Sequence, residues 1–194
     1  MDDAIVPLPR PETGGTVSVE EALFRRRSHR SFQPKSLTLQ QLSQLLWAAA
    51  ASPSAGATYP LDIFVVVGAK CVENLDAAVY QYLGEESLGF HAEGDRRDSL
   101  ARAALGQDFV AKAPVSIVIA GTYERTTTRY GKRGQRYVHI EAGHVGQNVY
   151  LQAEALGLGT VAVGAFEDSA VARVLELPSA MLPLYIMPVG YVGV

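Results

Sequence analysis

Between Pro60 and Gly68 the chain reads LDIFVVV, seven residues with a single polar position, and a second apolar run, VSIVIA at 115–120, follows Pro114. Both runs are short, rich in β-branched residues and bounded by breakers, the pattern of strands buried on both faces. Segments 78–82 and 88–92, separated by Gly84, Glu85 and Glu86, predict a small hairpin near a sheet edge. Segments 161–163 and 184–189 predict further strands. Elsewhere the apolar period is helical. Leu39, Leu42, Leu45, Leu46 and Ala49 form one stripe, opened by a capping box from Thr38 to Gln41 with Leu37 and Leu42 as hydrophobic staple, and the helix stops before Pro53. Ser18 and Glu21 have the same box spacing, so a short helix runs through Ala22 and Leu23 into a group of arginines. A polar and then alanine-rich segment, 96–113, reads as helical. The longest helix is expected over 136–156, ending at Gly157 as a C′ glycine, and Asp168 stands where it can cap a short helix.

Helices alternate with strands throughout, which predicts one α/β or α+β domain with a helix-rich layer around a mostly buried sheet. The 194 residues, 48% apolar, are enough for one sizeable core. Residues 1–16 carry Pro7, Pro9, Pro11, Gly14 and Gly15 and are expected to form an extended arm, leaving 17–194 as the domain. No stretch approaches the roughly 20 apolar residues of a membrane span, and the acidic start Met1-Asp2-Asp3 lacks the basic and apolar regions of a signal peptide. With Cys71 the single cysteine, no internal disulfide can form. A cytoplasmic protein is expected.

Charge then directs attention to one place. Lys plus Arg number 17 against 20 Asp plus Glu, a net charge of -3, which argues against duplex nucleic acid as a partner. Within this acidic balance, Arg25-Arg26-Arg27-Ser28-His29-Arg30-Ser31-Phe32 packs four guanidiniums and two hydroxyls into eight residues. Guanidinium forks match phosphate oxygens in pairs, and serines add short neutral donors, so the run reads as a clamp for a compact phosphate such as that of a nucleotide or flavin. The competing explanation is a solvated basic face at a helix C-terminus.

Other chemistry is excluded by spacing. Gly157-Leu158-Gly159 is followed by Ala162, so the dinucleotide fingerprint fails at its third glycine, and Gly159 to Gly164 lacks the Lys and Ser/Thr of a P-loop. His139-Ile140-Glu141 has no downstream cysteine pair to make a zinc deaminase, and His139 and His144 project about 140° apart on a helix, a poor metal pair. No nucleophile elbow is present. Two polar segments remain. Ser52-Pro53-Ser54-Ala55-Gly56-Ala57-Thr58-Tyr59-Pro60 offers small side chains that let a planar ligand approach the backbone, or is a long turn. Residues 129–137 form a second basic stretch with Tyr130 and Tyr137, either a cover over a substrate or an exposed loop.

Taken in order, these segments resemble the nitroreductase family of flavoenzymes, and more narrowly its branch of azoline (thiazole and oxazole) dehydrogenases. The resemblance covers about residues 21–190. It is carried by Arg26-Arg27-Ser28-His29-Arg30-Ser31-Phe32, by Ser52-Pro53-Ser54-Ala55-Gly56 with Tyr59-Pro60-Leu61, and by Tyr130-Gly131, Arg133-Gly134 and Arg136-Tyr137. Glu141-Ala142-Gly143-His144 with Gln147-Asn148, Gly157-Leu158-Gly159-Thr160, Gly164-Ala165-Phe166 and Pro188-Val189-Gly190 complete it. The resemblance implies a nitroreductase-like α+β fold, a central mixed but mainly antiparallel sheet surrounded by helices, in a homodimer holding FMN at the subunit interface.

By the same resemblance Arg26, Arg27, Ser28 and Arg30 hold the FMN phosphate and ribityl chain. Pro53, Ser54, Ala55 and Gly56 pack near the isoalloxazine of the second subunit, Val163, Gly164 and Ala165 bring backbone groups beside flavin N5, and Gln107 meets the pyrimidine edge. Tyr130 and Lys132 are the substrate-side candidates for a catalytic role. The implied activity is FMN-dependent oxidoreduction, with NAD(P)H as transient co-substrate and a nitro, quinone or similar small molecule as electron acceptor, in a ping-pong cycle. Flavin-dependent azoline oxidation in peptide modification is one alternative, and flavin binding without turnover is another. Two positions depart from the family pattern. The chain ends Tyr191-Val192-Gly193-Val194 without a basic residue, and Arg129 precedes Tyr130 where azoline dehydrogenases have lysine. Arginine cannot readily take up a proton at neutral pH, which favours generic reduction over azoline oxidation.

Overall fold

Every apolar run that lacks alternation becomes a strand covered on both sides. The computed structural model describes residues 5–84 and 86–193; the acidic start Met1-Asp2-Asp3, Glu85 of the expected hairpin turn and the terminal Val194 lie outside the described residues. The strands are β1 Ile5–Pro7, β2 Leu61–Val67, β3 Ala78–Gly84, β4 Ser87–Glu93, β5 Val115–Gly121, β6 Gly159–Thr160 and β7 Leu182–Gly190. They form one sheet in the order β1-β4-β3-β2-β5-β7-β6. The helices are α1 Val19–Arg25, α2 Leu39–Ala50, α3 Arg97–Ala103, α4 Asp108–Lys112, α5 Glu124–Tyr130, α6 Arg133–Ala155 and α7 Asp168–Val174, with a 3-10 turn at Ala55–Ala57.

The two faces of the sheet separate along β2. Ile63, Val65 and Val67 meet Leu42, Leu45 and Leu46 of α2 and Val145 and Val149 of α6. Phe64 and Val66, pointing the other way, meet Leu100 of α3, Val110 of α4 and Val171 of α7. Burial of both sets explains why β2 shows no alternation. The expected capping box forms in full at Thr38 and Gln41, and the Ser18 hydroxyl accepts from Glu21 N at 3.1 Å. Gly157 takes its left-handed C′ conformation at φ 68°. Among the described residues no helix is long and apolar enough to cross a membrane.

Several expectations are corrected. The sheet is not mixed: named strands pair antiparallel throughout, and parallel pairing is confined to isolated bridges of Ser28 with Thr160 and Leu37 with Val72. The arm is not free of regular structure, because an edge strand tolerates Pro7 and β1 pairs with β4. Beyond β1 the arm is tied to α2, where Ser43 Oγ donates to the Pro9 carbonyl at 2.6 Å and Gln44 exchanges two bonds with the Glu12 backbone. Segment 96–113 is two helices, since Leu105 and Gly106 take φ values of 59° and 75° and break it.

No strand forms over 161–163; a two-residue strand, Gly159–Thr160, stands just before it. Ala162 N donates to the Tyr150 hydroxyl instead of a ladder carbonyl, and Val163 makes only an isolated bridge to Ile186. Asp168 is the first residue of α7, whose N-cap is Glu167 with no side-chain cap. The stretch 129–137 is no loop. It is the end of α5, a turn at Gly131 and Lys132, and the start of α6 three residues earlier than expected. A Cβ on Gly134 would stand 2.9 Å from Thr127 Cα, so only glycine lets the two helices meet this closely.

One ion pair ties the connection after β4 to the turn after β2. Arg97 Nε and Nη2 donate to the two oxygens of Asp95 at 2.9 and 2.7 Å, and Ala69 N donates to Asp95 Oδ2 at 2.9 Å. Burial pushes the Asp95 carboxyl up, but the bonds from Arg97 and Ala69 outweigh it and hold the group at about 2. A folded value below the unfolded one stabilises above the ordinary aspartate range, and the contribution disappears as pH falls through about 2. Asp95→Asn is therefore expected to lose about 1 kcal/mol at pH 7, after allowance for solvent screening of a partly exposed pair. Urea unfolding of both proteins should show the difference shrinking as the pH approaches 2.

Candidate functional site

The arginine run leaves α1 as an extended segment and is fastened along its length. His29 N donates to the Thr160 carbonyl of β6 at 2.9 Å, and the tail pairs back from the other side, Gly193 N to Ser31 O at 2.8 Å and Gln33 N to Tyr191 O at 2.9 Å. Gly159 is small because a Cβ there would lie 3.0 Å from His29 Cβ and 2.6 Å from the Val192 side chain. Tyr150 on α6 completes the support. Its hydroxyl shares a hydrogen bond with Ser28 Oγ at 3.0 Å and accepts from Ala162 N at 2.8 Å, while the Arg26 guanidinium lies 5.2 Å from the ring centroid.

The arginines divide by role. Arg25 pairs with Glu21 one turn back. Arg27 Nη1 donates to the carbonyls of Phe24 and Arg26 at 2.9 and 2.8 Å, so this guanidinium serves the helix end, the alternative weighed for the run as a whole. Arg26 and Arg30 have no carboxylate partner among the described residues; Arg30 lies 6.0 Å from the Phe109 ring centroid. Two unpaired guanidiniums and the Ser28 hydroxyl on a pinned backbone are a donor set whose chemistry suits an anion, held in place by the fold.

The same edge continues to residues 163–165. Val163 and Ile186 exchange backbone bonds of 2.8 and 3.0 Å, after which the ladder ends and Gly164 and Ala165 are exposed, their N–H groups without a hydrogen-bond partner among the described residues. Gln107 Nε2 donates to the carbonyls of Ala104 and Ala165 at 2.8 and 2.9 Å, which leaves Oε1 as the group available to a ligand. Thus the structure brings Arg26, Ser28, Arg30, Gln107 and Val163-Gly164-Ala165 onto one edge. Beside Gly164 lies a cavity of about 320 Å³ lined by Tyr123, His139, Phe166 and Tyr185. The Tyr123 hydroxyl and His139 Nε2 are 2.5 Å apart. Burial first, and then the charge of Asp168, raise the Tyr123 hydroxyl above its ordinary value.

The second segment, 53–56, is held elsewhere on α6. Ser52 Oγ and the Ala48 carbonyl accept from Asn148 Nδ2 at 3.1 and 3.0 Å. The Ser54 Oγ accepts from Tyr59 N at 2.8 Å, which closes the turn on itself. Gly56 has φ 59° and touches both Arg129 and Tyr130; its carbonyl accepts from Arg129 Nη1 at 2.9 Å, and a Cβ would fall 2.9 Å from that nitrogen. Ala57 and Tyr59 are also left-handed, at 55° and 43°. Within the chain, the bonds of this loop go to α5 and α6 and those of the arginine run to Tyr150, β6 and the tail. Tyr130 packs edge-on against Tyr137, with centroids 5.2 Å apart. Lys132 is an exposed residue of the turn between α5 and α6.

Glu141, Tyr150, Tyr123 and Arg129 had no role assigned from sequence. Glu141 carried a signal: it lies on the helix face of Val138, Ala142, Val145 and Val149, where an apolar residue is expected, and only 6% of it is exposed. Burial raises its pKa, against the lowering effects of the Ser54 and Ala55 bonds and of His144.

A seven-stranded antiparallel sheet with helices on both faces, in this order of strands, is a nitroreductase-like fold. A crystal structure from Anabaena variabilis, described as a nitroreductase, superposes on 98% of this chain with a TM-score of 0.88 at 27% identity; the chain spans only 42% of that protein's length. The NADPH:FMN oxidoreductase of Vibrio harveyi, solved with NAD+, shares the fold at 22% identity and a TM-score of 0.70, over 91% of this chain and 69% of that one. The chain belongs to the nitroreductase family, whose model matches residues 23–191. Among its relatives, a protein of Methanocaldococcus jannaschii described as a nitroreductase is 46% identical over 184 residues, 90% of this chain and 91% of that protein. The microcin B17-processing protein McbC of Escherichia coli is 30% identical over 146 residues, covering 73% of this chain and 54% of McbC.

Tyr150→Phe removes one oxygen that serves both Ser28 and Ala162 N. It is expected to cost about 1 kcal/mol, the net worth of a buried-side hydrogen bond, read by urea unfolding.

Proposed function

We propose that this protein is an FMN-dependent oxidoreductase that accepts electrons from NAD(P)H and passes them to a nitro, quinone or similar small acceptor. The observation that carries this is the pair Arg26 and Arg30, unpaired and flanking Ser28 on a backbone pinned to β6, four residues before the free N–H groups of Gly164 and Ala165. The residues present suit FMN. Arg26, Arg30 and Ser28 supply donors for one phosphate, Gly164 and Ala165 supply backbone groups for the ring, and Gln107 Oε1 can accept from a pyrimidine N–H. Bound there, the flavin supplies the two-electron chemistry, hydride in from the nicotinamide and electrons out to the acceptor, in ping-pong order.

This chain's own part is binding, orientation and proton supply. The cavity beside Gly164, walled by aromatic rings, suits a planar acceptor, and the Tyr123 hydroxyl with His139 behind it is a proton source at its wall. Tyr130, whose hydroxyl stands against Gly56, and Lys132 at the turn remain the substrate-side candidates. A homodimer is the expected assembly. Val19, Leu23, Phe24 and Ile140 are 65%, 52%, 79% and 50% exposed, large apolar side chains that a second copy would cover.

The likeness to McbC favours azoline oxidation as a second reading. Against it, Arg129 stands where that branch has lysine, and its guanidinium is engaged by the Gly56 carbonyl. Turnover of an azoline substrate with oxygen and without NAD(P)H would move this reading to first place.

Arg26→Gln/Arg30→Gln is expected to fold normally and lose FMN affinity by about 100-fold, two charge-assisted contacts at about tenfold each. Fluorescence titration with FMN measures it, and affinity equal to wild type would remove the phosphate assignment. The loaded wild-type protein should bleach within seconds of anaerobic NADPH addition and give parallel steady-state lines; a yellow protein that never bleaches is a flavin binder without turnover.

A further inference from the structure

The cavity beside Gly164 has one polar wall, and the fold builds it where two helices are forced together. Gly134 of α6 lies so close to α5 that a Cβ on it would stand 2.9 Å from Thr127 Cα. About one turn back from Thr127 is Tyr123, and about one and a half turns on from Gly134 is His139. The close approach brings these two side chains into contact. The Tyr123 hydroxyl and His139 Nε2 share a hydrogen bond of 2.5 Å, and the rings meet edge to face, with centroids 5.5 Å apart at 81°.

The pair runs from solvent to cavity. His139 is exposed, whereas Tyr123 is half-buried, and both line the space that Gly164 also lines. Phe166, Leu182 and Leu184 make its apolar side, and Asp168 and Tyr185 are its remaining titratable side chains. Burial first, and then the charge of Asp168, keep the Tyr123 hydroxyl protonated beyond its ordinary range, so that it meets the cavity as a donor. A bond that served only to join α5 to α6 would need neither an exposed histidine nor a hydroxyl at a cavity wall. A volume of about 320 Å³ is at the lower end for ligand sites and suits a single-ring molecule.

We propose that Tyr123 is a catalytic acid toward the electron acceptor and that His139 refills it from solvent, which makes single-ring nitroarenes, reduced at an oxygen-bearing group, the substrate class of this cavity. The chemistry rests on the oxidoreductase reading above; the hydrogen-bonded pair does not. In the step, the nitro group takes hydride, two electrons with one hydrogen, from the reduced flavin and a proton from the Tyr123 hydroxyl. One N–O bond breaks, that oxygen leaves as water, and a nitrosoarene remains. His139 Nε2–H passes its proton to the Tyr123 oxygen, and the exposed imidazole takes another from water. Electron entry from NADPH precedes the acceptor and does not use the pair.

The test uses the FMN-loaded full chain in stopped-flow mixing without oxygen. Tyr123→Phe, which keeps the ring against His139, should slow reoxidation by nitrobenzene about 100-fold. Its reduction by NADPH, and its reoxidation by ferricyanide, which takes an electron and no proton, should stay within about threefold of wild type. His139→Ala should slow the nitrobenzene step about tenfold and recover when imidazole is added. In flavin-free protein, the nitrogen NMR signals of the His139 ring should move in Tyr123→Phe, because the bonded hydroxyl is gone. An unchanged nitrobenzene rate in Tyr123→Phe overturns the proposal, as does slowing that ferricyanide shares, since that is a damaged site. If Tyr123→Phe does not fold, His139→Ala decides, and a loss that imidazole does not restore overturns the relay. If wild-type protein takes up no FMN, the functional reading fails, while the His139 signals still decide whether the pair stands, and signals unmoved by Tyr123→Phe overturn it.

Discussion

Helix α6 is the constraint on which the remaining structure depends. Its apolar face must cover the sheet, and Val138, Ala142, Val145, Val149 and Ala153 do so. Having been fixed there, it presents two polar side chains at set heights. Asn148 meets the end of α2 and Ser52, and Tyr150 meets Ser28 and Ala162. Both halves of the candidate site are therefore hung from one rigid rod whose position is set by hydrophobic burial. Precision at the site is inherited from packing rather than from the loops themselves.

This arrangement explains how exposed segments with little regular structure can be exact in shape. The arginine run is trapped between β6 and the C-terminal tail, with glycine at 159 and 193 where the backbones approach most closely. The 54–59 loop is held in left-handed conformations by partners on α5 and α6. In both cases the local sequence would not choose the observed conformation, and tertiary contacts impose it. Arg129 illustrates the consequence. Its guanidinium, part of the second basic stretch in sequence, is part of the scaffold of the 54–59 loop.

Much of the fold was legible because hydrophobic burial leaves a periodic trace. LDIFVVV at β2, the capping box at Thr38 and Gln41, and the end of the long helix at Gly157 follow from rules that act within a few residues. The errors cluster where distant contacts override local preference. Segment 96–113 breaks at a left-handed Leu105, the arm gains β1 by pairing with a strand some eighty residues away, and Ala162 leaves the ladder for the Tyr150 hydroxyl. Residues 129–137 read as a loop because glycine usually interrupts helices, whereas Gly134 lies inside one to let α5 approach.

The sequence by itself determined the class of fold, the place of the arginine run and the family, because each depends on local spacing or on an ordered set of short motifs. Only the tertiary structure decided which arginines are free to bind. Arg25 and Arg27 are taken up by α1, and Arg26 and Arg30 are left open, a distinction invisible in a run of like residues. Nor could sequence reveal that Asn148 and Tyr150 fasten separate loops to one helix. Those bonds join residues dozens of positions apart, and their partners are selected by how the helix sits on the sheet, not by anything within reach along the chain.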